Sequence, residues 1–106
     1  MTLTELAELL GTLNIPSRYG YFDAKQPVPY IVYMETLRNA IYADGVVVYA
    51  EPVITLQLIT KHRDIAAESV VVGLLCDNGI SFDDPEFYFD DEQDVHVATF
   101  TFQIGG

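Results

Sequence analysis

An Asp44-Gly45 dipeptide between two runs of β-forming residues constrains the fold most tightly. Asp-Gly favours a two-residue turn, because both positions tolerate a positive φ. Ala40-Ile41-Tyr42 precedes the turn and Val46-Val47-Val48-Tyr49 follows it, so residues 39–50 are predicted to form a β-hairpin. Pro52 comes soon afterwards and requires an edge position or a bulge, because its nitrogen cannot donate a hydrogen bond.

Other segments also have strand character. Residues 30–37 are rich in β-formers, and residues 53–60 and 95–104 alternate apolar and polar side chains. A further strand is predicted from residues 80–82 and 87–89, interrupted between them by Asp-Asp-Pro. His96 falls on the same face of the last strand as its phenylalanines, where a structural role is more common than a catalytic one.

Two segments have helical spacing of apolar residues. In residues 2–13, leucines recur at helical intervals and Thr2 and Glu5 have the spacing of a capping box. Residues 64–78 begin at a capping Asp64 and end before Gly79. The stripe expected to face the core of this second helix consists of Ile65, Val72, Leu75 and Cys76, broadened by Ala66, Val70 and Leu74.

These elements predict one α+β domain over residues 1–106, in the order α-β-β-β-α-β-β. The short connections favour an antiparallel or mixed sheet of four or five strands, with both helices on one face. A long irregular loop is expected at residues 16–29. Its aromatic residues Tyr19, Tyr21 and Phe22 are candidates for docking a partner.

Composition excludes several classes of protein. Half of the residues are apolar, which is too many for a disordered acidic tail, and the net charge of −11 does not suit a surface that grips nucleic-acid phosphates. The apolar runs are too short for a transmembrane helix, and no secretory leader is expected. The lone Cys76 is expected to be a buried thiol in a reducing compartment.

The acidic segment (residues 83–94) holds seven carboxylates in twelve residues. It lacks the central glycine and ligand spacing of a calcium loop, and a hairpin tip is a poor place to hold a catalytic carboxylate pair. A solvated turn is the favoured interpretation, with no metal, cofactor or catalytic residue predicted. The residues that are candidates for a subunit interface are Asp83, Asp84, Glu86, Asp90, Asp91 and Glu92.

The basic segment (Lys61, His62 and Arg63) stands just before the second helix. In so acidic a chain it is expected to meet carboxylates, either in the same subunit or in a neighbouring copy. A phosphate site is the alternative, but the glycine-rich loop that usually presents backbone amides is missing. These three residues are therefore also candidates for a subunit interface.

The order and spacing of short landmarks over roughly residues 27–104 resemble a known group of proteins. It comprises the tail-completion, tail-terminator and head–tail joining proteins of long-tailed bacteriophages and prophages. The landmarks are Pro27-x-Pro29-Tyr30-Ile31-Val32-Tyr33, Asn39, Ala43–Tyr49, Ile54–Thr60, Asp64 and Glu68, Gly79–Phe82, Tyr88-Phe89 and Phe100–Phe102.

The resemblance implies a structural protein without catalytic activity. Its relatives form rings, often hexamers, that end the tail tube and dock the head, either alone or only on assembly. The implied partners are further copies of the chain, a tail-tube protein and a head-connector protein, and DNA passes through without specific binding. The implied location is the virion tail, after assembly in the cytoplasm of the bacterial host.

Other functions remain open at this stage. An acidic DNA mimic would account for the net charge, but it should spread its carboxylates over an extended surface, whereas seven of sixteen lie in one segment here. A generic protein-binding module also fits. A small-molecule enzyme has no supporting group of residues.

Overall fold

The computed structural model describes residues 1–20 and 26–104, apart from the side chains of residues 39, 40, 50 and 51. The elements run in the order α1 (Leu3–Leu10), β1 (Ser17–Tyr19), β2 (Tyr30–Ala43), β3 (Val46–Thr60), α2 (Ile65–Asp77), β4 (Glu86–Asp90) and β5 (Val95–Phe102). The strands form one sheet in the order β1-β2-β3-β5-β4. Among these described strands, β1 and β2 are the one parallel pair. The predicted α+β class, with two helices and a mixed sheet, is confirmed.

Both helices begin at the predicted capping residues. At α1, the Thr2 hydroxyl accepts a hydrogen bond from the Glu5 amide at 3.1 Å, and the Glu5 carboxylate accepts one from the Thr2 amide at 3.3 Å. At α2, the Asp64 carboxylate accepts a hydrogen bond from the Ala67 amide at 3.0 Å. These bonds satisfy amides that have no partner within the helix.

The predicted turn between β2 and β3 is present. Asp44 has φ 51° and Gly45 has φ 77°, the left-handed pair that a two-residue hairpin turn requires. The flanking strands are longer than predicted, because β2 and β3 each run unbroken where two short segments were expected. Pro52 pairs with Leu37, ahead of the point where β3 gains its second neighbour, so it has the edge position that it needs.

The core lies between the helices and one face of the sheet. Strand register aligns Tyr33, Leu56 and Phe100 in one row across β2, β3 and β5, and it aligns Ile31, Leu58 and Ala98 in the next row. The helices add buried side chains to the same cluster: Leu6, Leu10, Ala67, Val71 and Leu75. The alternation predicted for the last strand is therefore confirmed.

Three sequence predictions about local structure are wrong. Residues 80–82 do not join residues 87–89 in one strand, because β4 begins at Glu86 and Phe82 makes only an isolated bridge to Phe102. Residues 17–19 of the presumed irregular loop form β1, which pairs with residues 31–33.

The stripe predicted to face the core from α2 is largely wrong: Ile65, Ala66, Val70 and Cys76 are exposed, because the helix turns Ala67, Val71 and Leu75 toward the sheet. The helix is apolar on nearly every side, so periodicity alone could not fix its rotation.

We expect Leu56→Ala to lower the free energy of unfolding by about 2–5 kcal/mol, because Leu56 is fully buried at the centre of the sheet. The same substitution at the exposed Leu37 is the matched control and should change it by less than about 0.5 kcal/mol. Urea denaturation of dilute protein measures both values. Equal effects at the two positions would contradict this placement of the core.

Candidate assembly interface

The hairpin arm (residues 37–52) extends beyond the core. Among the arm residues whose side chains are described, none belongs to the buried core cluster. It carries half of the fourteen large hydrophobic side chains that are exposed in the described part of the chain, and their exposed fractions range from 42% to 65%. These residues are Leu37, Ile41, Tyr42, Val46, Val47, Val48 and Tyr49.

Both faces of the hairpin arm are apolar. Val46 and Val47 are adjacent in the strand, so their side chains point to opposite faces, and both are exposed. A ribbon that stayed in water would alternate apolar and polar residues, whereas apolar residues on both sides are typical of a strand that is covered on both sides. The pattern therefore indicates a segment that becomes buried.

Both edges of the hairpin arm are also open. Within residues 1–20 and 26–104, β1 pairs with β2 only as far as Tyr33, and β5 pairs with β3 only from Ile54 onward. The outer backbone of the arm can therefore add a further strand. An isolated two-stranded hairpin is marginally stable in water, so this arm gains most from being covered.

Local sequence explains why the hairpin arm forms at all. The Asp44-Gly45 turn fixes the register, and the cross-strand pairs Ile41–Tyr49 and Tyr42–Val47 join aromatic and β-branched side chains. Irregularities in the register occur between residues 38 and 42. Such bulges increase the twist of a ribbon.

Charges in the arm lie at its ends. At the base, the Arg38 guanidinium is 3.6 Å from the Asp83 carboxylate, and at the tip Asp44 occupies the turn. Apart from Leu37, the apolar residues listed above lie between these two positions. The middle of the arm is therefore a weakly charged surface on a strongly acidic chain.

A second exposed apolar surface lies on β4, at the far edge of the sheet. The aromatic edge (Phe87, Tyr88 and Phe89) has exposed fractions of 42–51%. Register places Phe87 and Phe89 on the helix-covered face, opposite Ala98 and His96, and Tyr88 on the other face. Strand β4 pairs only with β5 among the described strands, so its outer backbone is open.

The basic segment packs against this edge of the sheet. Lys61 donates a hydrogen bond to the Asp94 carboxylate, at the end of the acidic segment. The Arg63 guanidinium lies 4.7 Å from the centre of the Phe87 ring, and the Phe87 ring also stacks on the His96 ring at 5.9 Å. Lys61 and Arg63 thus have partners within their own chain, and His62 is exposed.

Arg63 also compensates a buried carboxylate. Glu68, in the first turn of α2, is buried, and its Oε2 lies 3.5 Å from Nε of Arg63. A buried carboxylate is costly without a nearby positive charge. Glu68 was not predicted to be a core residue, because its position in the first turn suits an exposed acidic side chain equally well.

The acidic segment includes residues with clear local roles. Asp83 pairs with Arg38, and the Asp90 carboxylate accepts hydrogen bonds from the amides of Glu92 and Gln93 at 3.0 and 3.3 Å. Those bonds shape the turn between β4 and β5. The remaining candidates from this segment, Asp84, Glu86, Asp91 and Glu92, are exposed. The predicted contacts of these residues with another subunit stay a prediction.

Tyr19 helps to hold β1 in the sheet. Its ring meets the Tyr33 ring edge to face at 5.5 Å, and its hydroxyl accepts a hydrogen bond from the Glu35 amide at 3.2 Å. Burial raises the pKa of Tyr33, and the nearby Tyr19 raises it further. The other two residues of the predicted docking loop, Tyr21 and Phe22, lie outside the described residues.

The described residues bring together no group of three or more His, Cys, Asp or Glu side chains that could hold a metal ion. In the same part of the chain, neither helix has the length and apolar character to cross a membrane. Most of the large hydrophobic side chains that are exposed in this part of the chain lie on the hairpin arm and the aromatic edge. Comparison with protein-family models, curated proteins and solved structures found no match for this chain.

The hairpin was predicted from sequence, but its exposure was not. A run such as Val46-Val47-Val48-Tyr49 reads equally well as a strand inside a core. One signal in the sequence could have indicated this exposure. The domain is short, and its other alternating segments are already enough to fill one core.

Lys61 lowers the pKa of Asp94 below its ordinary value of 3.8, first through their hydrogen bond and then through its charge. The contribution of this pair to stability is therefore present above the ordinary pKa and is lost as the pH falls through the lowered one. We expect Lys61→Ala to return the pKa of Asp94 toward 3.8, as followed by NMR titration. Arg63→Gln is the control and should leave it unchanged, and an unchanged pKa in Lys61→Ala would refute the pairing.

We expect Arg63→Ala to lower the free energy of unfolding by about 1–3 kcal/mol, because it leaves the Glu68 carboxylate buried without its cation. In a Glu68→Gln background, Arg63→Ala should lower the free energy of unfolding by clearly less, since no buried charge remains. A double-mutant cycle by chemical denaturation measures the difference. Additive effects of the two substitutions would rule out this coupling.

Proposed function

We propose that this chain is a non-enzymatic structural protein of a phage or prophage tail. In this proposal, copies of the chain form a ring at the tail end or head–tail junction, where the ring ends the tube and docks the head. The ring forms in the host cytoplasm and stays in the virion tail. The observation that carries the proposal is the hairpin arm, a strand pair that is apolar on both faces and open at both edges.

The arm supports assembly because water is a poor environment for it. Exposed apolar patches of this kind mark contacts with other proteins. A projecting ribbon can bind a partner through its backbone and its side chains, and strand addition uses both. A structural subunit that must bind its neighbours firmly needs such a surface, and an isolated monomer does not.

The charge supports the part of the proposal that concerns DNA. A net charge of −11 per copy gives a ring that repels phosphates, so DNA can pass without being held. Two basic side chains also support passage of DNA without binding, because Lys61 and Arg63 already contact Asp94, Phe87 and Glu68.

The arm also favours assembly over DNA mimicry. A mimic presents carboxylates to its target. Here the most extended part of the molecule carries valine, isoleucine and tyrosine instead, and its charges lie at the base and tip.

We expect the purified protein to assemble into rings that light scattering and negative-stain microscopy detect. Added to polymerising tube protein from the same phage or prophage, it should bind the tube ends and stop elongation. The variant Val47→Lys/Tyr49→Lys should fold but fail in both assays, because burying two charges in the contact is unfavourable.

The matched control is Thr4→Lys/Ala7→Lys, which adds lysines to exposed positions of α1 and should behave like the unchanged protein. Circular dichroism verifies that both variants fold. Tubes that elongate normally in the presence of the unchanged protein would contradict the proposed function.

A further inference from the structure

We infer that the hairpin arm of one copy binds the aromatic edge on β4 of a second copy, extending that copy's sheet. This inference rests on the proposed function, since it names the partner surface within the ring. The partner that covers the arm is thus another copy of this chain. The contact joins two different surfaces, and such head-to-tail contacts build rings or filaments.

The two surfaces have matching properties. Among the described strands, each is an open strand edge, and each has exposed apolar side chains on both of its faces. Together they account for ten of the fourteen large hydrophobic side chains that are exposed in residues 1–20 and 26–104. Strand addition gives hydrogen-bond partners to the backbone N–H and C=O groups of both edges, and it covers both sets of side chains in one contact.

The arm cannot reach the aromatic edge of its own chain. It leaves the sheet beyond Ile54, at the end where β5 finishes at Phe102. The aromatic edge lies toward the other end of the sheet, where Phe87 aligns with Leu58 through Ala98. Four residues of β3, or about 13 Å, separate Ile54 from that position. The arm runs away from it in the opposite direction, so the contact must form between copies.

Charge favours this pairing between copies that repel one another. Two chains of net charge −11 approach most easily where their surfaces carry little charge. The middle of the arm meets that condition, so it brings no further negative charge to the aromatic edge, which lies within the acidic segment and has Glu86 and Asp90 at the ends of β4. Arg63 adds a positive charge beside Phe87.

Pairing of two arms with each other is the competing arrangement. It would be a two-fold contact that leaves the aromatic edge uncovered and closes at a dimer. Arm-to-edge pairing uses both exposed surfaces and continues around a ring.

Two complementary variants test the inference. The arm variant, Val47→Lys/Tyr49→Lys, keeps an intact aromatic edge, and the edge variant, Tyr88→Lys/Phe89→Lys, keeps an intact arm. We expect each variant alone to be a monomer by light scattering. An equimolar mixture should give a species of twice the monomer mass containing one copy of each, because only one productive contact remains.

The control variant Thr4→Lys/Ala7→Lys has the same change in charge and should assemble as the unchanged protein does. Dimers of the edge variant alone would show arm-to-arm pairing and overturn the inference, as would a mixture that stays monomeric. If the unchanged protein caps tubes but the variants give either of these results, only the inference is contradicted. If the variants form the mixed dimer but the unchanged protein does not cap tubes, only the proposed function is contradicted.

Discussion

The pairing of β2 with β3 is the interaction on which the rest of the structure depends. Its register begins at the Asp44-Gly45 turn and sets Tyr33 opposite Leu56 within the core. Because side chains alternate across a strand, a slip of one residue would move Leu56 and its neighbours to the other face. Helices α1 and α2 then have a continuous apolar surface to cover, and β5 pairs with the covered half of β3.

The same pairing also creates the exposed surface. The two strands are longer than the helices can cover, so part of the ribbon runs on past the core as the hairpin arm. Strand β3 has fifteen residues, and the molecule is 46 Å long in its greatest dimension. One hairpin therefore supplies both the centre of the fold and the surface on which the proposed assembly depends.

Local chemistry made part of this fold predictable from sequence. The turn at Asp44-Gly45, the caps at Thr2 and Asp64 and the alternation of β5 depend on neighbouring residues. Strand β1 was missed because its three residues are held by pairing with a distant segment. The rotation of α2 was mispredicted because apolar residues surround that helix.

The candidate interface was harder to predict than the fold. Sequence analysis favoured the charged segments, yet Lys61 contacts Asp94 and Arg38 lies near Asp83 within one chain. The aromatic edge was not predicted to be an interface, because its exposure depends on β4 being an outermost strand. Apolar composition alone does not tell whether a strand is covered by its own chain or by another.

The central claim is that assembly buries the hairpin arm, and hydrogen–deuterium exchange tests it most directly. The account predicts that the backbone amides of residues 37–52 exchange rapidly in dilute monomer and become strongly protected in assembled particles. The amides of residues 54–60 should be protected in both states, because they lie in the core. Equal exchange of the arm amides in monomer and assembly would contradict the account.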